Sequence, residues 1–289
     1  MDIIVKKVTT RDYLTKSNLP ASDYVINPYV GCPHACKYCY ASFMKRFTGH
    51  TGEWGSFVDI KECEKGISIS KIKGKSVFLS SVTDCYNPFE EQYGVTRKIL
   101  EQLVNAECEL TISTKSKLVV RDIDLLKKFS NLKVAVSMNT LDEAFRADMD
   151  CASSIRDRLE ALQELHQAGI YTVLFMSPIF PYISDWKGIM DATKESVCEY
   201  WFENLNLRGT YKQTILNYMN SHYPMWSDEY RKIYIQKDHT YWKELEQRMV
   251  EYCEAWNIKY KNYFYSLFRT CPFLKLNCPT SKNKNYPQE

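Results

Sequence analysis

Three cysteines fall within eight residues, Cys32, Cys36 and Cys39, in the run Gly31-Cys32-Pro33-His34-Ala35-Cys36-Lys37-Tyr38-Cys39-Tyr40. Soft thiolates this close together can converge on one metal centre. A cubane iron–sulfur cluster normally takes four cysteine thiolates. This run offers three, and the next cysteine is Cys63. Three ligands leave one iron open to a group that is not protein, which suits chemistry at the cluster better than electron storage. A zinc site completed by His34 or His50 is an alternative, although zinc sites usually pair short cysteine knuckles at two separated places. No second pair follows at finger-like distance. Buried thiols with no ligand are the third reading.

The residues around this loop resemble a known family. C-x3-C-x2-C with aromatic Tyr38 just before the third cysteine is similar to the signature of the radical S-adenosylmethionine (SAM) superfamily. Asn27-Pro28-Tyr29, Tyr40-Ala41, Phe47-Thr48-Gly49-His50 and Thr83-Asp84-Cys85-Tyr86-Asn87-Pro88 with Glu90 resemble its spore photoproduct lyase-like branch. Lys16-Ser17-Asn18-Leu19-Pro20 and Glu203-Asn204-Leu205-Asn206-Leu207-Arg208-Gly209 resemble the radical SAM mobile pair protein B group within it. The resemblance implies an α/β fold, a partial (β/α)6 TIM-type barrel with a helical C-terminal extension. It also implies a [4Fe-4S] cluster on Cys32, Cys36 and Cys39, with SAM at the open iron. In that chemistry an external one-electron donor of flavodoxin or ferredoxin type reduces the cluster. SAM is then cleaved to methionine and a 5′-deoxyadenosyl radical, which abstracts hydrogen from a substrate. The group's name implies a second radical SAM protein encoded alongside, a candidate partner.

Elements able to position such a site can be read from periodicity. Short apolar, β-branched segments recur at 24–26, 76–81, 110–114, 134–138, 171–176 and 200–202. Between them lie helix-like stretches. Tyr93 to Asn105 and Ile123 to Phe129 carry helical apolar spacing, and Ile155, Leu159, Leu162 and Leu165 form a stripe that stops at Gly169. Residues 185–197 and 210–221 read as weaker helices. Alternating strands and helices imply parallel strands with crossovers. Six strands rather than eight agree with a partial barrel. Residues 1–23 read as an N-terminal arm, 24–222 as the core barrel and 223–279 as a helical extension packed on it. Within the extension, 223–238 is loop-rich and 240–256 helical. Residues 280–289, rich in Lys, Asn and Pro, read as a disordered tail.

In strand–helix barrels, ligands gather at the carboxyl ends of the strands. Those ends carry Ser81, Thr83 and Asp84, then Thr114 and Lys115, then Ser137 and Asn139, then Ser177, then Glu203, Asn204 and Asn206, with Arg208 beyond. Each alone is an ordinary turn or cap residue; repetition at nearly every end favours a binding surface. A SAM carboxylate wants a cation, which Lys115 or Arg208 supplies. Its ribose wants small hydroxyl or amide groups, and its adenine a flat neighbour such as Tyr38. Carried over position by position, the resemblance implies Tyr38 at adenine, Tyr40 near the reacting centre, Thr83 at the methionyl amine, Lys115 at the carboxylate and Ser137 at ribose. Ser81, Asp84, Asn139 and Arg208 complete the expected cofactor contacts.

One departure stands out. The lyase places a hydrogen-donating cysteine where this chain has Ser81, and an O–H bond is much harder to break homolytically than S–H. Cys85 is the substitute donor four residues on, with Tyr86 and Tyr40 as candidate radical relays; aromatic packing is the competing reading for both tyrosines. Cys271 and Cys278 are candidates for an auxiliary cluster, but with Cys253 they make only three ligands, and buried or idle thiols are the competing reading. His50, after a glycine, and His166, beside an apolar stripe, read as structural.

The chain has 289 residues, 45% hydrophobic and 25% charged, with a net charge of +3. These are globular values, and the charge is too small to imply a polyanion partner by itself. Eleven cysteines, odd in number and irregularly spaced, with no export signal or membrane-length apolar run, point to a reducing cytoplasm. Aromatics, 21 Tyr and 6 Trp among them, crowd the last third, where nucleic-acid bases could stack. The competing function classes are a non-catalytic, metal-stabilised nucleic-acid-binding module and an iron–sulfur redox sensor.

Overall fold

The computed structural model describes residues 3–19, 22–209 and 211–264. Among these residues eleven strands run in chain order as β1 (Ile4–Thr9), β2 (Leu14–Lys16), β3 (Tyr24–Ile26), β4 (Tyr29–Val30), β5 (Phe57–Glu62), β6 (Ser76–Leu79), β7 (Glu109–Thr114), β8 (Leu132–Ser137), β9 (Tyr171–Ile179), β10 (Glu199–Asn204) and β11 (Tyr260–Asn262). The α-helices are α1 (Phe89–Tyr93), α2 (Val95–Leu103), α3 (Ile123–Leu126), α4 (Glu143–Met149), α5 (Ile155–Gln167), α6 (Trp186–Thr193), α7 (Tyr211–His222), α8 (Ser227–Tyr234) and α9 (Thr240–Ala255). The main sheet has the order β11-β10-β9-β8-β7-β6-β3-β2. All its pairings are parallel except that of β2 with β3. Its two edges do not pair with each other among the described residues, so the wall is an open, partial barrel.

All six strands expected from periodicity are present, as β3 and β6 to β10. The outer face of the wall, including Leu79, Ile112, Val134, Val136, Leu174 and Phe202, is buried against the helices. Each such side chain contributes about 1.5–3 kcal/mol by leaving water. Helix α5 is set by Ser154, whose hydroxyl accepts from the Asp157 N–H, and ends before Gly169 at φ +79°. Its buried stripe is Ile155, Arg158, Ala161, Leu162 and Leu165. An arginine therefore takes the core position that periodicity gave to Leu159.

The inner face forms layers. At the amino ends of the strands Glu199 pairs with Lys133 and receives the Trp201 indole N–H at 2.9 Å. Above them Ala135, Val173 and Trp201 close the lumen, with Phe78, Phe175 and Tyr263 packed around. Above this plug the inner-face residues Lys115, Ser177 and Glu203 keep partial exposure. The lumen is thus open to water at the carboxyl ends.

Other elements were not visible in the sequence pattern. β1, β5 and β4 form a separate three-stranded sheet, so residues 1–23 contribute β1 to that sheet and β2 to the main one. Residues 223–238 contain α8, and β11 returns the chain to the edge of the barrel sheet. No described helix is long and apolar enough to cross a membrane. Cys271, Cys278 and residues 280–289 lie outside the described residues.

Candidate active site at the cysteine loop

The loop between β4 and β5 carries Cys32, Cys36 and Cys39. Its entry is Gly31 at φ +85°, where a Cβ would meet the Phe57 carbonyl oxygen at 2.3 Å, so no larger residue lets the loop lie on β5. Backbone bonds close it from within: Ala35 N–H to the Cys32 carbonyl at 3.2 Å and Cys39 N–H to that of Cys36 at 3.1 Å. Two more dock it on the end of α4, Lys37 N–H to the Met149 carbonyl at 2.9 Å and Cys151 N–H to that of His34 at 2.7 Å.

The three thiols lie within electrostatic reach of one another. Burial pushes all three above the ordinary thiol range. Local donors act the other way: the His34 N–H on Cys32, the Ala41 and Ser42 N–H groups on Cys39, and the Lys115 ammonium on Cys36 and Cys39. The indole N–H of Trp54 also faces Cys39 and is buried without a hydrogen-bond partner. These donors favour thiolates and sulfide, the electron-rich acceptors of an iron–sulfur cluster.

Among the described residues no three His, Cys, Asp or Glu side chains are gathered tightly enough for a single metal ion. A zinc site requires such a cage, with all ligands at about 2.0–2.3 Å from one centre. A cubane does not, because each thiol takes a different iron. His34, the candidate fourth zinc ligand, turns away to Asp84, with Nε2 3.1 Å from Oδ2; neither ring nitrogen is aligned for a hydrogen bond. His50 pairs with Asp59 at 2.7 Å and stacks on Phe57. Both histidines brace the loop, and the donor set fits a three-thiolate cluster.

Asp84 is a hub. Oδ1 accepts from the Thr114 hydroxyl at 2.7 Å and the Tyr86 N–H at 2.9 Å, and Oδ2 from the Lys115 N–H at 2.8 Å. Burial alone would raise this carboxyl; His34, the Lys115 N–H and Thr114 more than offset it and hold it at about 2. Read from sequence as a cofactor contact, Asp84 has both oxygens engaged by protein.

A second buried pair fixes the far side of the loop. Asp150 and Arg158 meet at 2.7 Å with side chains 1% exposed. The Tyr38 hydroxyl donates to Asp150 at 3.0 Å, and Arg158 donates to the Ser153 and Ser137 carbonyls. Tyr38 is thereby turned inward, edge-on to Phe180, with the Lys115 ammonium 5.8 Å from its ring centre.

At the strand ends, the Thr83 hydroxyl donates to the Gly31 carbonyl at 2.7 Å and keeps its acceptor lone pairs. Lys115 makes no ion pair among the described residues, and the Ser137 hydroxyl has no hydrogen-bond partner among them. Asn139 is occupied, donating to the Pro178 carbonyl at 3.1 Å. Ser81 accepts from the Asn27 amide at 2.9 Å, while Asn27 Oδ1 receives the Val82 N–H. Arg208 is exposed on the loop after β10 and donates to Asn206 at 3.0 Å.

The expected hydrogen donor and relay are placed differently. Cys85 and Tyr86 are 0% exposed and sit in the main core. The Ser80 hydroxyl takes the Cys85 N–H at 2.7 Å and Asp84 takes that of Tyr86, and both side chains pack in the core rather than at the open strand ends. Tyr40 is 53% exposed, and its hydroxyl donates to the Ser81 carbonyl.

Sequence reasoning also missed Asn27, Trp54, Asp150, Arg158 and the pairing of Glu203 with Ser177. A charged residue on the apolar stripe of α5 was the available signal for Arg158. The rest are contacts between distant parts of the chain.

The family model described as the Radical SAM superfamily matches residues 26–191. An uncharacterized protein of Methanocaldococcus jannaschii is 39% identical over 224 residues, 77% of this chain and 85% of that one. A protein of Pseudomonas phage M6 named Radical SAM Nα-GlyT isomerase is 27% identical over 54% of this chain and 33% of its own length. Among solved structures, a spore photoproduct lyase variant with a dinucleoside spore photoproduct superposes with a TM-score of 0.62 at 16% identity, covering 90% of this chain and 82% of that one.

Proposed function

We propose that this chain, a member of the radical SAM superfamily, falls on the spore photoproduct lyase-like branch and holds the superfamily's [4Fe-4S] cluster on Cys32, Cys36 and Cys39. When bound, the cluster and SAM supply an electron and a 5′-deoxyadenosyl radical that takes hydrogen from substrate. The residues of this chain bind and orient. Lys115 pairs with the SAM carboxylate, Thr83 accepts from its amine and Ser137 meets its ribose. Asp84 positions rather than binds, holding Lys115, Thr114 and His34 in register. Arg208 borders the mouth. The observation that carries this reading is the placement of Lys115. Its ammonium makes no ion pair among the described residues and lies within electrostatic reach of Cys36 and Cys39, at the open end of a parallel sheet.

We infer a nucleic-acid base as substrate, supported by the dinucleoside photoproduct held by the lyase of similar fold. Cys85 and Tyr86 are proposed to act only indirectly, behind the site, and Tyr40 as the exposed tyrosine nearest the reacting centre. The electron donor is a flavodoxin or ferredoxin in the cytoplasm, and a second radical SAM protein is a candidate partner. Anaerobic reconstitution should load about four irons per chain. Dithionite should then release 5′-deoxyadenosine from SAM, and its absence from fully loaded protein contradicts the reading.

A further inference from the structure

Opposite the cysteine loop, the inner face carries a polar pair that none of the contacts above uses. In β9, Ser177 and Pro178 lie opposite the single residue Glu203 of β10: Phe202 pairs with Met176, but Asn204 pairs with Ile179. Such a bulge re-aims side chains, and bulges concentrate beside active sites. Here it brings the Ser177 hydroxyl onto Oε2 of Glu203. Beneath the pair lie Phe175 and Trp201, edge to face with centroids 5.7 Å apart. Beside it stand the Lys115 ammonium and, from α7, Tyr211, whose hydroxyl donates to the Asn206 carbonyl at 2.7 Å. Tyr211 also lies within electrostatic reach of Cys39 and Arg208, which puts Glu203 in the same mouth as the thiols. Burial pushes the Glu203 carboxyl up, against Ser177 and Lys115.

We propose that Glu203, oriented by Ser177, reads the edge of a nucleobase. Where it holds a proton on binding, this carboxyl presents one donor and one acceptor side by side. That pattern matches N3–H and O4 of thymine, or N6–H and N1 of adenine. A cation would instead require the ionised form, and the half-buried Phe175 ring lies beneath the pair as an apolar floor. Two bases can meet this chemistry, that of a nucleic-acid substrate and the adenine of SAM. The inference rests on the proposed radical SAM reading, but its test is equilibrium binding and does not need turnover.

The probes are a fluorescein-labelled oligothymidylate, the same oligomer carrying N3-methylthymine, and SAM alone, each titrated into the reconstituted full chain. The comparison is wild type, Glu203→Ala, Glu203→Gln and Ser177→Ala, with urea midpoints confirming that each is folded. The expected result is about a tenfold loss of one probe's affinity in Glu203→Ala, near-wild-type affinity in Glu203→Gln because an amide keeps both donor and acceptor, and a smaller loss in Ser177→Ala. If oligothymidylate is the probe that weakens, and N3-methylation weakens it equally in wild type, the substrate base is read. If SAM weakens instead, the cofactor's adenine is read. The assignment is overturned if Glu203→Gln is as damaging as Glu203→Ala, which signals a carboxylate holding a cation. It is also overturned if neither affinity responds or wild type binds neither probe.

Discussion

His34 Nε2 lies 3.1 Å from Asp84 Oδ2, both side chains buried, so an imidazole from inside the cysteine motif rests on the acid that follows β6. The same acid holds the Lys115 N–H and the Thr114 hydroxyl of β7. One carboxylate thus fixes the spacing between the thiol loop and the cation proposed to face SAM.

Asp84→Ala leaves buried donors from Thr114, Lys115 and Tyr86 without an acceptor. The expected loss is about 3 kcal/mol of stability, read as a lower urea midpoint, together with reduced iron loading. Unchanged loading would show that His34 needs no anchor.

Arg158→Leu strips the partner from a carboxylate whose side chain is 1% exposed. Breaking a buried pair by removing one member costs about 3–5 kcal/mol. Equilibrium urea unfolding checks this. A loss below about 1 kcal/mol would place Asp150 in contact with water.

Lys115→Ala removes the cation without touching a cysteine. SAM affinity should fall about tenfold or more, since a charge-assisted hydrogen bond contributes about 1.5–3 kcal/mol. Iron content should stay at the wild-type level. Anaerobic calorimetry of the reconstituted protein separates the two quantities.

Trp54→Phe keeps the ring and deletes the buried N–H facing Cys39. Losing a donor to the sulfur environment disfavours the reduced, more negative cluster, so the midpoint potential should fall. A redox titration followed by electron paramagnetic resonance reads the shift. An unchanged potential would leave Trp54 as packing alone.

Two buried carboxyls are held below their ordinary range, Asp84 from 3.8 to about 2, and Glu199, where Lys133 and the Trp201 indole outweigh burial. A depressed carboxyl adds stability that is complete above its unfolded pKa and lost as pH falls through the folded one. Urea midpoints should therefore drop as pH falls below about 4. Glu199→Gln should be destabilised at pH 7 and show a shallower acid dependence. An equally steep dependence would remove Glu199 from the account.

The six barrel strands and α5 were legible because burial against helices imposes apolar runs on strands and a 3.6-residue stripe on a helix. The cysteine loop was legible because its ligands are close in sequence. The sheet of β1, β5 and β4 was not, since β1 is largely exposed, β4 has only two residues, and the pairings join segments far apart in sequence. The roles of Asp84, Cys85 and Tyr86 turned on one feature. Ser80 at φ +79° begins a turn in which the side chains of Ser80 and Asp84 capture the N–H groups of Cys85 and Tyr86, and strand alternation does not continue through it. Arg158 and Asp150 are far apart in type from the apolar pattern, and only the folded chain shows them neutralising each other.

The central claim is that three thiols hold a cluster whose remaining iron is grasped by SAM. The most direct measurement is the low-temperature electron paramagnetic resonance spectrum of the dithionite-reduced, reconstituted protein before and after SAM is added. The account predicts a cubane signal that changes its g-values with SAM and disappears when Cys32, Cys36 or Cys39 is replaced by alanine. A signal indifferent to SAM, or one that survives loss of any of these cysteines, would contradict it.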